Sequence, residues 1–346
     1  MSENNFVKLG DVAHECRLTW SGGQTDIPIV GLEHLVPGEI ELSSWDSNIE
    51  HTFSKKFLKG QVLLGRRRVY LKKAVVAPCD GICSGDITVI ESTGGILPEL
   101  LPFVIQNDRF FDYAMQGSAG SLSPRVKWEH LKNYEFSLPP LAEQKVLADK
   151  LWAAYRLKES YKKLLAATEG MVKSQFIEMF KDELNHKSLC NICRPKQWPT
   201  IQTKDFTEDG YLVYGANGVI GHYSDYNHEF PTILMACRGA SCGAINVSEP
   251  RSYITGNAMC LDDLSDEISF EFLVHFLSYY DYRTIITGGA QPQITFSSLQ
   301  KVSVPIPSKE KQKLFVEIAR QADKSGFELR KSIDAIDAVI KSLINS

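Results

Sequence analysis

Short apolar runs bounded by glycine dominate the first part of the chain. Residues 61–64 and 87–90 are brief, rich in β-branched side chains and flanked by glycine, which is typical of strands. Between Leu97 and Met115 the spacing of apolar residues predicts one or two helices packed on a sheet. Residues 1 to about 138 are therefore predicted to form a strand-rich domain with a few helices.

The same mixed pattern returns between residues 185 and 305. Residues 231–236 form an apolar run that predicts a strand, and residues 270–280 have the spacing of a helix. The two stretches together predict an α+β fold with two strand-rich domains.

A long amphipathic pattern follows each domain. From Ala142 to about Phe180 there is no proline, and apolar residues recur at alternating spacings of four and three. The same phase returns from about Ser308 to Ile344. We predict two long helices that pack on each other as an antiparallel coiled coil separating the domains; the alternative is that each stripe packs on its own domain. The residues predicted to form this spacer and to contact partners are Leu147, Leu151, Leu165, Val172, Ile318, Leu329, Ile336 and Leu343.

The chain contains nearly the same module twice. The helix starts at Leu138–Lys145 and Ile306–Lys313 are alike, with Gln312 in the place of Gln144. A repeat that takes up about half of the chain is too long for a solenoid unit, which indicates two domains that are each followed by a helix. The predicted segments are a domain over 1–138, a helical segment over 139–182, a second domain over 183–305 and a second helical segment over 306–346.

The repeat extends upstream into the domains. Arg67 matches Arg238, and Ser84-Gly85-Asp86 matches Thr255-Gly256-Asn257, with one common offset between the two halves. A duplicated chain can present two similar surfaces to one long partner.

Composition and charge fit an ordinary folded protein. Of the 346 residues, 43% are apolar and 23% are charged, which allows sizeable cores and argues against wholesale disorder. The net charge of −4 is weak evidence against a free-standing nucleic-acid binder, which usually carries a basic domain. No apolar run reaches the length of a membrane span, so we expect no membrane partner and a cytoplasmic location. The eight cysteines are then expected to be reduced.

The most basic stretch lies between Ser54 and Lys73, which contains no Asp or Glu. Lysine and arginine neutralise DNA phosphates, and arginine can donate two hydrogen bonds to guanine. If the stretch from Arg66 is a strand, alternate residues face opposite sides, so about half of the charges can meet DNA at once. The alternative is a solvated edge strand protected by its charges. The residues predicted to bind DNA here are Arg66, Arg67, Arg68, Tyr70, Lys72 and Lys73.

The segment Tyr214–Tyr223 combines three glycines with polar and aromatic residues. Glycine lets a backbone approach a ligand closely and asparagine can read adenine, which favours a DNA contact. A structural hairpin is the alternative, because Asn217-Gly218 is a strong two-residue turn; both interpretations hold if the hairpin tip lies near DNA. The residues predicted to bind DNA in this half are Asn217, His222, Tyr223 and Arg238.

No spacing in the sequence indicates a catalytic centre. There is no Walker-type phosphate loop, no His-Glu-x-x-His pair and no serine nucleophile elbow, and the eight histidines form no spaced cluster. Cys190 and Cys193 with Cys237 and Cys242 offer four thiols, but the second spacing is loose for zinc. Leu138-Pro-Pro-Leu141 lacks the flanking polar and aromatic residues of the amino-methyltransferase motif. We predict no catalysis, no metal and no cofactor in this chain.

The order of these motifs resembles the specificity subunit of type I restriction–modification enzymes. The resemblance is carried by the two proline-containing helix starts, the long helices after them, and the motifs Leu9-Gly-Asp-Val12, Cys83-Ser-Gly-Asp86 and Tyr214–Tyr223. It implies that 1–138 and 183–305 are target-recognition domains that read the two halves of a split DNA sequence.

The resemblance also implies partners. They are double-stranded DNA, two methyltransferase subunits bound by the helices, and restriction subunits where a cleavage activity exists. The methyltransferase would use S-adenosylmethionine, and a cleavage partner would use ATP with Mg²⁺. Two alternatives stay open: the recognition half of a methyltransferase with residual activity of its own, and a coiled-coil scaffold that binds no DNA.

Overall fold

The computed structural model describes residues 5–22, 26–117, 125–256, 258–288 and 291–345. The chain forms two compact units. Unit 1 comprises Met1–Lys163 together with Leu329–Ser346, and unit 2 comprises Leu164–Glu328. Each unit thus contains one strand-rich domain and parts of both long helices. Asn257, the counterpart of Asp86 in the repeat, lies outside the described residues.

The described residues of unit 1 form three small sheets with helices packed on them. The strand orders are β1-β9, β2-β8-β5-β6 and β3-β7-β4. The strands are β1 (Asn5–Lys8), β2 (Ala13–Cys16), β3 (Ile29–Val30), β4 (Lys55–Phe57), β5 (Val62–Gly65), β6 (Ala74–Val76), β7 (Gly81–Cys83), β8 (Ile87–Ser92) and β9 (Glu135–Leu138). The helices are α1 (Leu9–Val12), α2 (Leu101–Ile105), α3 (Asp108–Gln116), α4 (Trp128–Leu131) and the start of the long α5 (Leu141–Phe180).

Strand β5 lies inside its sheet and all four of its residues are buried, because its uninterrupted apolar run can face a core on both sides. Phe103, Phe110 and Phe111 of α2 and α3 are fully buried in one of these cores. The predicted strands over 61–64 and 87–90 and the predicted helices between Leu97 and Met115 are confirmed.

The described residues of unit 2 also form small sheets with helices packed on them, and one of these sheets contains a β-hairpin. Its sheets have the orders β10-β18, β11-β17-β14-β15 and β13-β12-β16. The strands are β10 (His186–Ser188), β11 (Arg194–Lys196), β12 (Tyr211–Gly215), β13 (Gly218–Tyr223), β14 (Ile233–Ala236), β15 (Ile245–Val247), β16 (Tyr253–Ile254), β17 (Ala258–Asp262) and β18 (Ser303–Pro305). The helices are α6 (Leu189–Ile192), α7 (Phe270–Tyr279), α8 (Phe296–Leu299) and the long α9 (Lys309–Asn345).

The central strands of the two units have the same register. In unit 1, β5 pairs antiparallel with β8 so that Gly65 lies opposite Ile87. In unit 2, β14 pairs antiparallel with β17 so that Ala236 lies opposite Ala258. Gly65 corresponds to Ala236, and Ile87 to Ala258, at the same sequence offset that relates Arg67 to Arg238. The duplication read from the sequence is therefore a duplication of structure, and the α+β prediction is confirmed.

A buried glutamine joins the start of α5 to unit 1. Gln144 is 1% exposed. Its Oε1 accepts from Leu97 N at 2.8 Å, and its Nε2 donates to Gly95 O at 3.2 Å and to Pro139 O at 2.9 Å. All three partners are main-chain groups, so the polar atoms of this buried side chain are satisfied by the backbone.

Gln312 repeats these contacts at the start of α9. Its Oε1 accepts from Ser269 N at 2.7 Å, and its Nε2 donates to Glu267 O and Pro307 O, both at 2.9 Å. The sequence of the second helix start departs from that of the first, yet the connection between domain and helix is the same. The two helices therefore leave their domains in equivalent ways.

Replacement of Gln144 should destabilise unit 1 locally. In Gln144→Ala the N–H of the half-buried Leu97 loses its partner, which should cost about 1–3 kcal/mol. We expect a lower denaturation midpoint and faster hydrogen exchange at the Leu97 amide. Gln116→Ala, at an exposed position on α3, is the matched control and should leave both unchanged. Unaltered protection of Leu97 in Gln144→Ala would contradict this role.

Within each unit the two long helices pack on each other in opposite directions. In unit 1, Lys158 Nζ lies 2.6 Å from Asp337 Oδ1, whereas Leu147, earlier on α5, lines the same groove as Leu343, later on α9. In unit 2, the ring of Phe176 packs edge-on against Phe315 with 5.1 Å between centroids. The predicted helices are confirmed to within one residue at each end.

Candidate nucleic-acid interface

The basic segment of unit 1 is a turn rather than a strand. A 3₁₀ helix spans Val69–Leu71, and its flanking residues Arg68 and Lys72 have left-handed backbone angles, with φ of 53° and 51°. Val69 is buried and anchors the turn to the core. The interpretation that charges alternate between two strand faces is therefore wrong, because two left-handed residues interrupt the extended backbone.

Of the six residues predicted to bind DNA in this half, three have side chains that are engaged inside unit 1. Arg67 Nη1 lies 3.5 Å from Asp86 Oδ2, and Lys72 Nζ lies 2.7 Å from Asp108 Oδ1. Lys73 Nζ donates to Leu32 O at 2.7 Å. These charges are partly neutralised by the fold, which the sequence could not indicate because the acids lie outside the basic stretch. Arg68 and Tyr70 are exposed, and Arg66 is half-buried.

Asp86 is held by two arginines. Arg125 Nε donates to its Oδ1 at 2.6 Å, and Arg67 approaches its Oδ2. The hydrogen bond from Arg125 is the main reason that the pKa of Asp86 lies below its usual value, and it outweighs the opposing effect of burial. The pKa of Asp108 is lowered chiefly by the hydrogen bond from Lys72.

The lowered pKa of Asp86 predicts a pH-dependent contribution to stability. A carboxylate whose folded pKa is depressed stabilises the fold above its unfolded pKa of about 3.9, and the contribution disappears as pH falls through the folded pKa. Asp86→Asn should therefore be less stable than the wild type at neutral pH, with a difference that shrinks in acid. Denaturant unfolding at a series of pH values measures this; Asp112→Asn, an exposed carboxylate of unit 1, is the control. A difference that stays constant down to about pH 2 would contradict the Arg125–Asp86 assignment.

A polar groove of about 640 Å³ opens beside the basic turn. Its walls come from β2 and the residues after it, the segment before β4, the end of β5 and the turn before β8. Its lining residues are Glu15, Arg17, Leu18, Thr19, Thr52, Phe53, Ser54, Lys55, Arg66, Ser84, Gly85 and Asp86. Hydroxyls, two carboxylates and two arginines line this one concave surface, and such groups hydrogen-bond base edges.

In unit 2, the segment Tyr214–Tyr223 belongs to a β-hairpin, as the sequence predicts. Strands β12 and β13 pair antiparallel, with a bulge after Val213. The two turn residues are Ala216 and Asn217, one residue earlier than the predicted Asn217-Gly218, and Gly218 starts β13 with φ of 115°, which favours glycine. Asn246 Nδ2 donates to Ala216 O at 2.9 Å and fixes the turn.

The hairpin presents an exposed tip. Asn217 is exposed and so are Val219 and Ile220, whose apolar side chains the sequence reasoning did not single out. His222 and Tyr223 are half-buried, and Tyr223 packs edge-on against Tyr253. The structure thus brings Asn217 to a tip, while His222 and Tyr223 lie nearer the base.

Arg238 of unit 2 is exposed and lies just after β14. Its backbone forms an antiparallel bridge with Gln293, as that of Arg67 does with Arg125 in unit 1. The sequence match between the two arginines is therefore also a match in backbone environment. The assignment of all these residues to DNA stays a prediction.

The predicted spacer residues are buried or half-buried. Leu151 and Val172 are buried, and the other six are half-buried. A different set of apolar residues on α5 faces solvent, one in every second turn: Leu157 is 46% exposed, Leu164 52% and Met171 54%. The sequence reasoning missed this second stripe because a four-three pattern fits more than one face of a long helix.

Exposed apolar residues also occupy equivalent positions on the two long helices. Val146 on α5 is 53% exposed, and its counterpart in the repeat, Leu314 on α9, is 54% exposed. Met171 is matched in the same way by Val339, at 51%. The chain thus has an exposed apolar residue at an equivalent position near the start of each long helix, α5 and α9.

The cysteines considered for zinc belong to the core of unit 2. Cys193 and Cys237 are buried, Cys190 and Cys242 pack against that core, and burial raises the pKa of each thiol. Single histidines meet other ligand types in the described residues, in groups that the sequence spacing did not indicate. These groups are His14, Cys16 and Glu91; Glu33, His34 and Asp46; and His228, Cys260 and Asp262.

The third group is tied into a hydrogen-bond network. Asn227 is oriented by Ile254, whose N–H donates to Oδ1 at 2.8 Å. His228 Nδ1 lies 2.6 Å from the same oxygen, and His228 Nε2 lies 3.2 Å from Asp262 Oδ1. This network fixes β17 to the segment before β14, which is a structural role.

Comparison with known proteins finds a family match in the second half of the chain. Residues 181–336 match the family model described as the type I restriction modification DNA specificity domain. This part of the chain is similar to a type I DNA specificity domain. It is 24% identical over 147 residues to the EcoprrI specificity subunit and 26% identical over 163 residues to the EcoDI specificity subunit, both from Escherichia coli. These matches cover 40% and 44% of the chain but only 36% of each relative's length.

Solved structures of type I systems have the same fold. The specificity subunit from M. genitalium matches with a TM-score of 0.59 at 15% identity, covering 99% of this chain and 97% of that one. A chain from a type I R-M system studied for complex assembly and conformational transition matches with a TM-score of 0.57 at 18% identity, covering 98% and 96%. No helix in the described part of the chain is long and apolar enough to cross a membrane.

Proposed function

We propose that the chain is the DNA sequence-specificity subunit of a type I restriction–modification complex, in which each unit reads one half of a bipartite target. The observation that carries the proposal is the duplication within a chain whose second half is similar to a type I DNA specificity domain. Strand register and the buried glutamine both recur. One scaffold used twice suits a target with two half-sites.

Double-stranded DNA is the proposed ligand of both units. In unit 1 the exposed Arg68 and the groove that contains Arg66 offer cationic and hydrogen-bonding groups. In unit 2, Asn217 at the hairpin tip offers a hydrogen-bonding group and the exposed Arg238 offers a cationic one. Phosphate contacts supply affinity, and groups that reach base edges supply specificity.

Two copies of one methyltransferase subunit are the proposed protein partners. The equal exposure of Val146 and Leu314, at equivalent positions in the repeat, supports two similar docking patches. Large exposed apolar patches are typical of surfaces that another chain covers, whereas single exposed apolar residues are common, so the support here is their recurrence at equivalent positions of the repeat. The stripe of Leu157, Leu164 and Met171 offers further apolar contact along α5.

The proposed role is recognition without catalysis. The methyltransferase would take S-adenosylmethionine and methylate adenine at N6, and a cleavage partner, where one exists, would take ATP with Mg²⁺. We propose that the assembly works in the cytoplasm, where its DNA lies. Methyl transfer by the isolated chain would contradict the non-catalytic role.

A map of methylated adenines in cells with and without this chain tests the proposal. We expect one bipartite motif, with two specified halves and an unspecified gap, to lose its methylation when the chain is absent. Restoring the gene should restore the same motif. A motif that stays methylated without the chain would exclude this function.

A further inference from the structure

Arg66 and Cys237 occupy the same backbone position in the two units. Each directly follows a central strand, β5 or β14, and the offset between them is that of the sequence repeat. Arg66 O accepts from Val126 N at 2.9 Å, and Cys237 O accepts from Ile294 N at 3.0 Å. The residue after each is an arginine, Arg67 or Arg238. The main chain around this position is therefore duplicated.

The side chains at this position differ completely between the units. Cys237 is 2% exposed and its sulfur accepts from Gln197 Nε2 at 3.3 Å, so it belongs to the core. Arg66 is half-buried and lines the polar groove of unit 1. Its Nε is covered by protein without a hydrogen-bond partner among the described residues. The guanidinium nitrogens that remain to donate to a ligand are therefore the two Nη groups.

The other cations of the groove are already engaged. Arg17 Nη2 lies 2.9 Å from Glu15 Oε2, and Lys55 Nζ donates to Ile87 O at 2.7 Å. Among the lining residues that the structure describes, Arg66 is thus the cation for which no ion pair is found. Its backbone is fixed on both sides, because Arg66 N also donates to Asp86 O at 2.9 Å.

The neighbouring backbone leaves room for a ligand. A Cβ added at Gly85 would meet nothing within 4 Å, so the groove is open beside Asp86. A guanidinium whose stem is packed and whose backbone is fixed loses little freedom on binding. Two Nη donors in a plane match the O6 and N7 acceptors of guanine in the major groove.

We infer that Arg66 is a base-reading residue of unit 1 and hydrogen-bonds a guanine in the half-site that this unit recognises. The inference rests on the proposed function. Two modules that read different bases from one scaffold must differ where bases are read and can share the residues that contact phosphates. Arg67 and Arg238 are shared, whereas Arg66 and Cys237 are not.

The test compares Arg66→Met with Arg68→Ala in the assembled methyltransferase complex. Methionine keeps an unbranched apolar stem but removes both Nη donors, so the packing of the stem is largely kept, and a thermal melt checks the fold. Arg68 is a nearby exposed arginine and serves as the control. Methylation is mapped over a library of duplexes with every base at each target position, at two salt concentrations.

For Arg66→Met we expect preference for guanine at one position of one half-site to fall by about 5- to 150-fold, with every other position unchanged. For Arg68→Ala we expect uniform weakening over all sequences and a salt slope reduced by about one. An unchanged motif in Arg66→Met, whether activity is normal or uniformly reduced, would overturn the inference, and so would relaxation in both halves.

The wild-type complex on the same library separates this inference from the function on which it rests. If the wild type methylates a bipartite motif and Arg66→Met keeps that motif, the base-reading role is wrong and the proposed function stands. If the wild type shows no bipartite motif, the proposed function fails and the inference fails with it.

Discussion

Exchanging residues 1–138 for the corresponding part of a specificity subunit with a different known target should change one half of the methylated motif and leave the other half intact. We expect complete replacement of one half, since each unit has its own sheets and its own core. The exchange should be tolerated because Gln144 binds only main-chain groups of the part that is replaced and of Pro139. An incoming domain with the same loop backbone can therefore accept the same α5.

The reciprocal exchange of residues 185–305 is the control. It should replace the other half of the motif, and Gln312 should hold α9 to the new domain through the same kind of contacts. Sequencing of methylated DNA reads both halves at once. If either exchange alters both halves, the two units do not read independently.

Aspartate at Val146 should remove one of two bound methyltransferase subunits, and aspartate at Leu314 should remove the other. Both side chains are apolar and more than half exposed, so the substitutions leave the core intact but place a charge where a partner would exclude water. An unpaired charge buried in an interface should weaken binding by at least about 100-fold. The double variant should bind none, which native mass spectrometry measures as a change from two partners to one and then to zero.

The neighbouring lysines provide the matched control. Lys145 and Lys313 are exposed and are again equivalent to each other in the repeat. Lys145→Ala and Lys313→Ala each change the net charge by −1, as the aspartates do, but remove no apolar side chain. Both should keep two partners. Two partners bound to the double aspartate variant would exclude these patches as docking sites.

The duplication and the long helices follow from the sequence alone because they depend on local patterns. A stretch from Ala142 to Phe180 without proline and with only one glycine has few places to end, so its helix begins and ends where the pattern does. Gln144 and Gln312 match because each binds the equivalent main-chain groups of its own unit. Main-chain groups are the same whatever the side chains are, so the residues around the two glutamines can differ.

The candidate site could be predicted only in part because its basic residues form ion pairs with acidic residues that lie far away in the sequence. Nothing near Arg67 or Lys72 in the chain shows that Asp86 and Asp108 bind them in the fold. The left-handed conformation of Arg68 is equally hidden, because it accompanies the packing of Val69 and no glycine marks it. A count of basic residues therefore overstates how many are available to DNA.

The direction in which a helix stripe faces is likewise a tertiary property. Leu165 and Leu164 are adjacent leucines on α5, yet the first is half-buried and the second is 52% exposed. Four-three spacing is satisfied on both faces, and only contact with the rest of the unit decides which one is buried. The meeting of His228 with Cys260 and Asp262 depends in the same way on tertiary packing.

The most direct test of the central claim is the position of methylated adenines across the genome of cells that contain the methyltransferase partner, measured with this chain present, absent and restored. The account predicts one bipartite motif that is methylated with the chain, unmethylated without it and methylated again on restoration. Methylation of that motif in the absence of the chain, or of a single undivided motif in its presence, would contradict a two-unit DNA-specificity subunit.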